Sequence, residues 1–286
     1  MSQNSSPAPR RRPFTQMDVF TDEPYRGNPL AVVVEAADLT TEQMQQFANW
    51  TNLSETAFLL PPTHPDADYR VRIFTASEEF PFAGHPTLGS AQAWLDAGGT
   101  TKQDGVLVQE RGAGLVRVKR DGGRLAFAAP PLTRSGPVAE ADMAQIADGL
   151  RLPRHALLDG SWLVNGPDWI GVLLASAGQV LGIRPDFSAL GGLNVGVIGP
   201  HAADGEADFE VRTFIPGDPA AEDSVTGSFN AGAAQWLIGS GRAPSSYVAA
   251  QGTALGRAGR IHVDAADGDI WVGGSSAERI SGTVVL

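Results

Sequence analysis

The chain has 286 residues, of which 42% are apolar, and a formal net charge of -11 at pH 7. Its length suits one large domain or two of ordinary size, and its acidic balance argues against nonspecific binding to nucleic acid or to an anionic membrane. No segment offers the roughly 18 apolar residues that cross a bilayer, and the absence of cysteine excludes disulfides, thiolate nucleophiles and cysteine metal sites.

The sequence also lacks the residues and motifs that several other classes of enzyme need. Lys102 and Lys119 are the only lysines and both lie beside turn-like sequence, so a Schiff-base lysine for pyridoxal phosphate is not expected. The usual glycine-rich motifs of nucleotide binding and the G-x-S-x-G motif of serine hydrolases do not occur. The five histidines are scattered singly, without the i, i+4 spacing of a helical metal pair. The sequence therefore predicts neither a cofactor nor a metal.

In chain order, the first segment predicted is a flexible extension over residues 1–14. It is polar and rich in proline, carries Arg10, Arg11 and Arg12, and lacks the apolar core of a signal peptide. Together with the absence of cysteine, this composition predicts a cytoplasmic protein.

The first half then alternates strands with two helices. Strands are predicted at 16–20, 30–34, 56–60 and 69–74, with three shorter ones near 106–108, 115–118 and 124–127. Thr40 or Thr41 is expected to cap the first helix, in which Met44 and Phe47 recur at helical spacing. The second helix follows Gly84-His85-Pro86.

The second half repeats this order of elements. The strand at 209–214 resembles the one at 69–74, and each leads through a loop and a glycine, Gly84 or Gly227, into an alanine-rich helix. We therefore predict two related domains, 15–129 (completed by 278–286) and 130–277, joined by a proline-rich linker at 130–137. A cleft between such halves is a favoured ligand site.

Three segments combine small residues with isolated polar ones. In 52–58, the Glu55 carboxylate stands at the start of an apolar strand, where partial desolvation would make it a usable base; an exposed loop residue is the alternative. In 82–90, Gly84 and His85 open a helix whose N-terminal N–H groups suit an anion; a structural histidine is the alternative. In 222–228, Asp223 precedes the second such helix, with an ordinary N-cap as the alternative.

These segments, with Asp18-Val19-Phe20 and Arg26-Gly27-Asn28-Pro29-Leu30 before them, resemble the PhzF-like family of phenazine-biosynthesis isomerases. The resemblance runs in order from about Met17 to the C-terminus. It implies an α+β fold of the diaminopimelate-epimerase type, with two pseudo-symmetric domains, each a central helix wrapped by a barrel-like, mostly antiparallel sheet. It also implies a homodimer.

The resemblance assigns roles to particular residues. It implies that Glu55 is the catalytic proton carrier, that His85 helps to bind and orient the substrate, and that Asp223 is the third member of the catalytic set. It further implies that the substrate site is lined by a second set of residues: Asn28, Gly84, Thr226, Gly227 and Ser228. The family's characterised reaction moves a proton on trans-2,3-dihydro-3-hydroxyanthranilate.

The chain also departs from its relatives. Related epimerases and racemases use two cysteines, whose places are taken by Ala83 and Thr226, so a two-thiol mechanism is excluded on chemistry. Ser224 stands where the family commonly has proline. Phe229-Asn230 stands where a small residue and a histidine are frequent, and Phe229 is expected to narrow or re-line the pocket.

The sequence thus predicts a cofactor-free isomerase that transfers a proton on a small carboxylate, with Glu55, His85 and Asp223 at its site. Two alternatives stay open: a single-base epimerase or lyase acting on an amino-acid-like substrate, and a metabolite-binding protein without catalysis. No nucleic-acid or membrane partner is expected.

Overall fold

The computed structural model describes residues 9–121, 123–203, 205–217 and 221–286, which form two compact units. Unit 1 contains the described residues up to Tyr25 together with Pro29–Phe127 and Ser275–Leu286, and unit 2 contains Arg26–Asn28 and Ala128–Gly274. Within the described ranges, none of the helices is both long and apolar enough to cross a membrane.

The first 10 labelled elements, followed by the last strand, build unit 1. They are β1 (Arg11–Val19), β2 (Asn28–Val33), α1 (Thr41–Thr51), β3 (Thr56–Leu60), β4 (Tyr69–Phe74), β5 (Glu79–Phe80), α2 (Gly84–Asp96), β6 (Val106–Arg111), β7 (Gly114–Asp121), β8 (Arg124–Ala128) and β18 (Ser276–Val285).

Helix α2 is the central helix of unit 1. Nine of its 13 residues are buried, and it contacts β1, β3 and β18. A methyl group at Gly89 would lie only 2.6 Å from Leu30 and 2.9 Å from Val19, so glycine is needed for this close approach of helix and sheet. Around it the pairs β1–β18, β3–β4, β4–β5, β6–β7 and β7–β8 are antiparallel, and the pairs β2–β3 and β4–β6 are parallel.

The remaining elements build unit 2. They are β9 (Arg134–Pro137), α3 (Glu140–Leu150), β10 (Asp159–Val164), β11 (Trp169–Leu173), α4 (Ala177–Gly182), α5 (Phe187–Leu190), β12 (Asn194–Pro200), β13 (Phe209–Phe214), β14 (Glu222–Asp223), α6 (Gly227–Gly239), β15 (Ser246–Gln251), β16 (Gly259–Ala266) and β17 (Asp269–Gly274).

Helix α6 is the central helix of unit 2. Nine of its 13 residues are buried, and it contacts β10, β11, β16 and β17. The strands of this unit also pair antiparallel, except for β11–β12 and β13–β15. A second apolar cluster lies between α3, α5 and the sheet, around Ile146, Leu190 and Val197.

The duplication predicted from the repeated strands is confirmed in atomic detail. The order β4, β5, α2, β6 recurs as β13, β14, α6, β15. In each set the first and last strands pair in parallel, β4 with β6 and β13 with β15. The N–H of Val108 donates to Asp68 at 2.7 Å, and that of Val248 donates to Asp208 at the same distance. Equivalent arginine–glutamate pairs are also present, Arg72–Glu79 and Arg212–Glu222, with Nε–Oε1 distances of 2.7 and 2.8 Å.

Two sequence predictions are wrong. The first is the flexible extension over residues 1–14. Residues 1–8 lie outside the described residues, but residues 11–14 belong to β1, which pairs antiparallel with β18. The side chain of Arg12 is buried: Nη1 and Nη2 donate to the two carboxylate oxygens of Asp38, at 2.6 and 2.9 Å.

The second is the linker predicted at 130–137, in which Arg134–Pro137 forms β9 and pairs with β10. Local polarity misled the prediction at both places, because the pairing partners are distant in sequence.

The contribution of Arg12 to folding can be tested directly. Arg12→Met removes the paired hydrogen bonds to Asp38, and we expect it to lower the melting temperature by about 5 °C, as for a loss of roughly 2 kcal/mol. Arg11→Met is the matched control, because Arg11 is exposed on the other face of the same strand. Thermal unfolding followed by circular dichroism makes the measurement, and equal melting temperatures for the two variants would contradict the expectation.

Candidate active site

Glu55 lies immediately before β3, in the connection from α1. The helix ends at Asn52, whose left-handed backbone (φ 54°) turns the chain toward the strand, a conformation that asparagine tolerates better than most residues. The Glu55 side chain is only 14% exposed. A carboxyl group so poorly hydrated is the feature expected of a general base.

The side chain that meets Glu55 is His85, in the first turn of α2. Its Nε2 lies 3.4 Å from Oε2 of Glu55, and the imidazole is 3% exposed. Burial lowers the pKa of His85 to about 3, and a hydrogen bond to the Pro29 backbone opposes that effect. The ring is therefore neutral at physiological pH, and its contact with Glu55 is not an ion pair.

The Pro29 contact also defines the tautomer of His85. Proline has no N–H group, so its backbone partner must be the carbonyl oxygen, and the ring nitrogen that meets it must carry the proton. Nε2 is the atom that approaches Glu55, which leaves Nδ1–H for Pro29. Nε2 then presents a lone pair, so it can accept a hydrogen bond from the carboxylic acid form of Glu55.

Helix α2 begins without a side-chain cap, because its N-cap residue is Ala83. The first turn is held by Thr87, whose hydroxyl donates to the Ala83 carbonyl at 2.7 Å and accepts from Arg111 Nη1 at 2.8 Å. Burial lowers the pKa of the Arg111 guanidinium to about 10, so this side chain is a cation at neutral pH. The N–H groups of Gly84 and His85 have no acceptor within the helix, as in any first turn.

In unit 2, Asp223 is a carboxylate surrounded by donors. Asn28 Nδ2 donates to Oδ1 at 2.8 Å, and the Thr226 hydroxyl lies 2.6 Å from Oδ2. Burial raises the pKa of Asp223, whereas hydrogen bonds from Thr226, from Asn28 and from the backbone of Val225 and Ser224 lower it. Asn28 also donates to the Val225 carbonyl at 2.9 Å, so its amide nitrogen orients Asp223.

Helix α6 also begins without a side-chain cap. Its N-cap is Thr226, and the hydroxyl that would cap the helix is directed to Asp223 instead. The alternative interpretation of Asp223 as an ordinary N-cap is therefore wrong. Gly227 and Ser228 form the first turn, where Ser228 Oγ accepts from the indole of Trp169 at 3.1 Å and its carbonyl accepts from Asn165.

The expectation that Phe229 lines the pocket is also wrong. Phe229 is fully buried and packs edge-to-face on Trp169, with ring centroids 5.6 Å apart. A methyl group at Gly196 would lie 2.1 Å from the Phe229 ring, so the glycine in β12 makes room for it. The neighbouring Asn230 donates to the Thr226 carbonyl and to Gln251, both at 2.9 Å. Both side chains thus point into the interior of unit 2.

The predicted residues therefore fall into two groups. Unit 1 brings Glu55, His85 and Gly84 together, and unit 2 brings together Asn28, Asp223, Thr226, Gly227 and Ser228. Sequence reasoning missed three buried polar side chains that support these groups: Arg111, Thr213 and Gln251. A polar residue within an apolar strand was the available signal. No group of three potential metal ligands occurs within the described ranges.

The chain is similar to known proteins over nearly its whole length. The family described as "Phenazine biosynthesis-like protein" matches residues 17–286. "Antisense-enhancing sequence 1" of Schizosaccharomyces pombe is 36% identical over 94% of this chain and 97% of its own length. The trans-2,3-dihydro-3-hydroxyanthranilate isomerase of Pseudomonas aeruginosa is 33% identical over 75% of this chain and 76% of its own.

Solved structures agree. A phenazine biosynthesis protein of the PhzF family from Enterococcus faecalis superposes with a TM-score of 0.79 at 25% identity, over 97% of this chain and all of that one. A hydroxyproline epimerase from Agrobacterium vitis is 14% identical over 97% of this chain and 93% of its own, with a TM-score of 0.58. A protein described as a "probable proline racemase" from Agrobacterium radiobacter is 16% identical over 96% of this chain and 93% of its own, with a TM-score of 0.61. At these identities, both show the fold alone. The fold, the matched family and the relatives named as isomerases define an isomerase with an epimerase-like fold. The chain belongs to the phenazine biosynthesis-like (PhzF) family, and the predicted diaminopimelate-epimerase-like fold is confirmed.

The neutral state of His85 predicts a pH dependence of stability. Between its ordinary pKa near 6.5 and the folded value of about 3, the unfolded chain binds a proton that the folded protein does not. Stability therefore falls as the pH falls through this window, by up to about 1.4 kcal/mol per pH unit. His85→Asn does not titrate, so we expect the wild type to lose about 2 kcal/mol more than this variant between pH 6 and pH 4.

Urea unfolding of both proteins at the two pH values makes the comparison. His64→Asn is the control, because His64 is half exposed on the surface, and it is expected to keep the wild-type slope. If His85→Asn and the wild type lose the same stability on acidification, His85 is not a buried neutral histidine.

Proposed function

We propose that this isomerase transfers a proton between two carbon atoms of a small carboxylate without a cofactor, and that Glu55 carries the proton. The observation that supports this most directly is the contact between the poorly hydrated Glu55 carboxyl and the lone pair of a neutral His85, at 3.4 Å. A carboxylate next to a neutral imidazole keeps its basicity, whereas a protonated imidazole would stabilise the anion and weaken the base.

In the proposed reaction, the carboxylate form of Glu55 accepts a proton from a substrate carbon. The electron pair of the broken C–H bond delocalises into the substrate as an enolate-like anion, and Glu55 becomes a carboxylic acid. In that form its O–H can donate to Nε2 of His85 until the proton is returned to a second carbon. One double bond migrates, and no electron is gained or lost overall.

The groups of unit 2 would bind the polar part of the substrate. Asp223 accepts hydrogen bonds from Asn28, from Thr226 and from the backbone of Val225 and Ser224, so a substrate donor would share or replace one of these four. Asp223 is therefore suited to an O–H or N–H group. The uncapped first turns of α2 and α6 offer N–H groups and the positive end of a helix dipole, which favour a substrate carboxylate or a developing negative charge.

The relative from Pseudomonas aeruginosa supplies the first substrate to test. It is named as a trans-2,3-dihydro-3-hydroxyanthranilate isomerase, and we propose that this compound or a related small carboxylate is the substrate here. The homodimer implied by the family resemblance remains a proposal, as does the cytoplasmic location.

Glu55→Gln is the decisive variant. It keeps the size of the side chain and removes the base, so we expect turnover to fall at least about a thousandfold while the protein folds and still binds the substrate. Turnover is followed by proton NMR in heavy water, where a transferred proton is partly replaced by deuterium. Glu42→Gln, the same change on the exposed face of α1 in the same unit, is expected to leave turnover unchanged.

The same measurement separates the alternatives. Retention of turnover by Glu55→Gln would contradict the proposal. Deuterium uptake at one stereocentre of the substrate, without migration of a double bond, would favour an epimerase. Tight binding of small carboxylates by the wild type, with no exchange or turnover in a panel of them, would favour a binding protein.

A further inference from the structure

Gln251, at the end of β15, is fully buried and has a single possible orientation of its amide group. Oε1 accepts from the backbone N–H of Thr226 at 3.0 Å and from Asn230 Nδ2 at 2.9 Å. A backbone N–H can only donate, so the atom that faces it must be the amide oxygen. Nε2 consequently points the other way, toward two threonine hydroxyls.

Those hydroxyls form a short chain that ends on Asp223. Gln251 Nε2 donates to Thr213 Oγ1 and to Thr226 Oγ1, both at 3.0 Å, and lies 3.3 Å from the carbonyl oxygen of Asp223. The two hydroxyl oxygens are 2.7 Å apart, and Thr226 Oγ1 is 2.6 Å from Oδ2 of Asp223.

Each hydroxyl has one hydrogen, and the amide nitrogen cannot accept either of them. Within these contacts, both hydrogens find an acceptor in one arrangement: Thr213 donates to Thr226, and Thr226 donates to Asp223. The reverse arrangement would leave the hydrogen of Thr213 without an acceptor in this cluster, at the cost of an unsatisfied buried donor.

Unit 1 shows that the start of a central helix can be held differently. The residue at the end of β6, in the place that Gln251 has at the end of β15, is Arg111, which contacts Thr87 in the first turn of α2. Anchoring the helix therefore does not by itself require a glutamine. What the amide adds is an acceptor on one side and a donor on the other.

We propose that Gln251 is a positioning residue of the site, whose amide directs the Thr213–Thr226 hydroxyl chain to donate to Asp223. The chain holds Asp223 as a hydrogen-bond acceptor, so the substrate group it meets must be a donor: a hydroxyl, an amine or an ammonium. This inference rests on the proposed function, because it takes Asp223 to be a substrate-binding group.

The test measures Asp223 itself. Its carboxyl carbon is observed by carbon-13 NMR, assigned by comparison with Asp223→Asn, and titrated with pH. Gln251→Met keeps the size of the side chain but removes both the acceptor for the Thr226 N–H and the donor to the Thr226 hydroxyl. The hydroxyl is then no longer held toward Asp223, and the pKa of Asp223 is expected to rise by about 1 to 2, as for one lost hydrogen bond to a charged group.

Thr213→Val is the matched control. It removes a buried hydroxyl from the same cluster but leaves Asp223 as the acceptor for the Thr226 hydroxyl, so the pKa of Asp223 should stay within about 0.3 of the wild-type value. The charged side chains on the segments packed against Asp223 in unit 2 are the same in the wild type, in Gln251→Met and in Thr213→Val; they are Arg26, Arg212, Glu222 and Arg257.

An unchanged pKa in Gln251→Met, or an equal rise in Thr213→Val, would overturn the proposal. If Gln251→Met does not fold, Gln251→Glu is titrated instead, because it keeps the acceptor for Thr226 and Asn230 and turns the donor into an acceptor. The pKa of Asp223 must then rise by at least about 1, and no rise would overturn the proposal.

Activity gives a second readout. In Gln251→Met the acidic limb of the pH profile of kcat/KM should move upward with the pKa of Asp223, whereas a structural defect alone would lower kcat/KM at every pH without moving the limb. Gln235→Met on α6, which loses a bond to the Pro130 carbonyl, should keep the wild-type profile. The NMR titration needs no turnover, so it decides the role of Gln251 even if the proposed reaction is not observed.

Discussion

Neither central helix has a side-chain cap on its first turn. Buried groups behind the turn hold it in place instead. In α2 the helix start is fixed by Thr87 and the Arg111 cation, and in α6 by Gln251. An ordinary cap occupies the N–H groups of the first turn. The supporting groups bind other atoms of the turn and do not occupy its N–H groups, and a helix N-terminus is suited to an anion.

This arrangement also explains why the two repeated halves differ chemically. The duplication preserves the backbone and the arginine–glutamate pairs, but the buried polar groups near the two helix starts differ. Unit 1 has the Arg111 cation and a neutral His85, and unit 2 has the Asp223 carboxylate. The two units therefore share a backbone plan but carry different polar groups at the starts of their central helices.

The sequence was informative wherever the signal was local. Hydrophobic spacing predicted α1, the repeated strands and the two central helices, and small residues around isolated polar ones pointed to Glu55, His85 and Asp223. It was uninformative where a side chain depends on a distant partner. Arg12 looks like part of a polar tail until its bond to Asp38 is known, and Phe229 looks like a pocket residue until Gly196 is seen to make room for it. Gln251 and Thr213 meet only because β13 and β15 are neighbours.

The positions of Ala83 and Thr226 bear on how the fold accommodates proton transfer without thiols. Both are N-cap residues at the starts of the central helices, where the resemblance places the two cysteines of the epimerases. Alanine has no group to exchange a proton, and the hydroxyl of Thr226 is within 2.6 Å of Asp223 and has a far higher pKa than a thiol. Neither helix start can therefore supply the base. In the reaction that we propose, the base is a carboxyl group from outside the helices: Glu55, which reaches His85 at the start of α2 from the connection before β3.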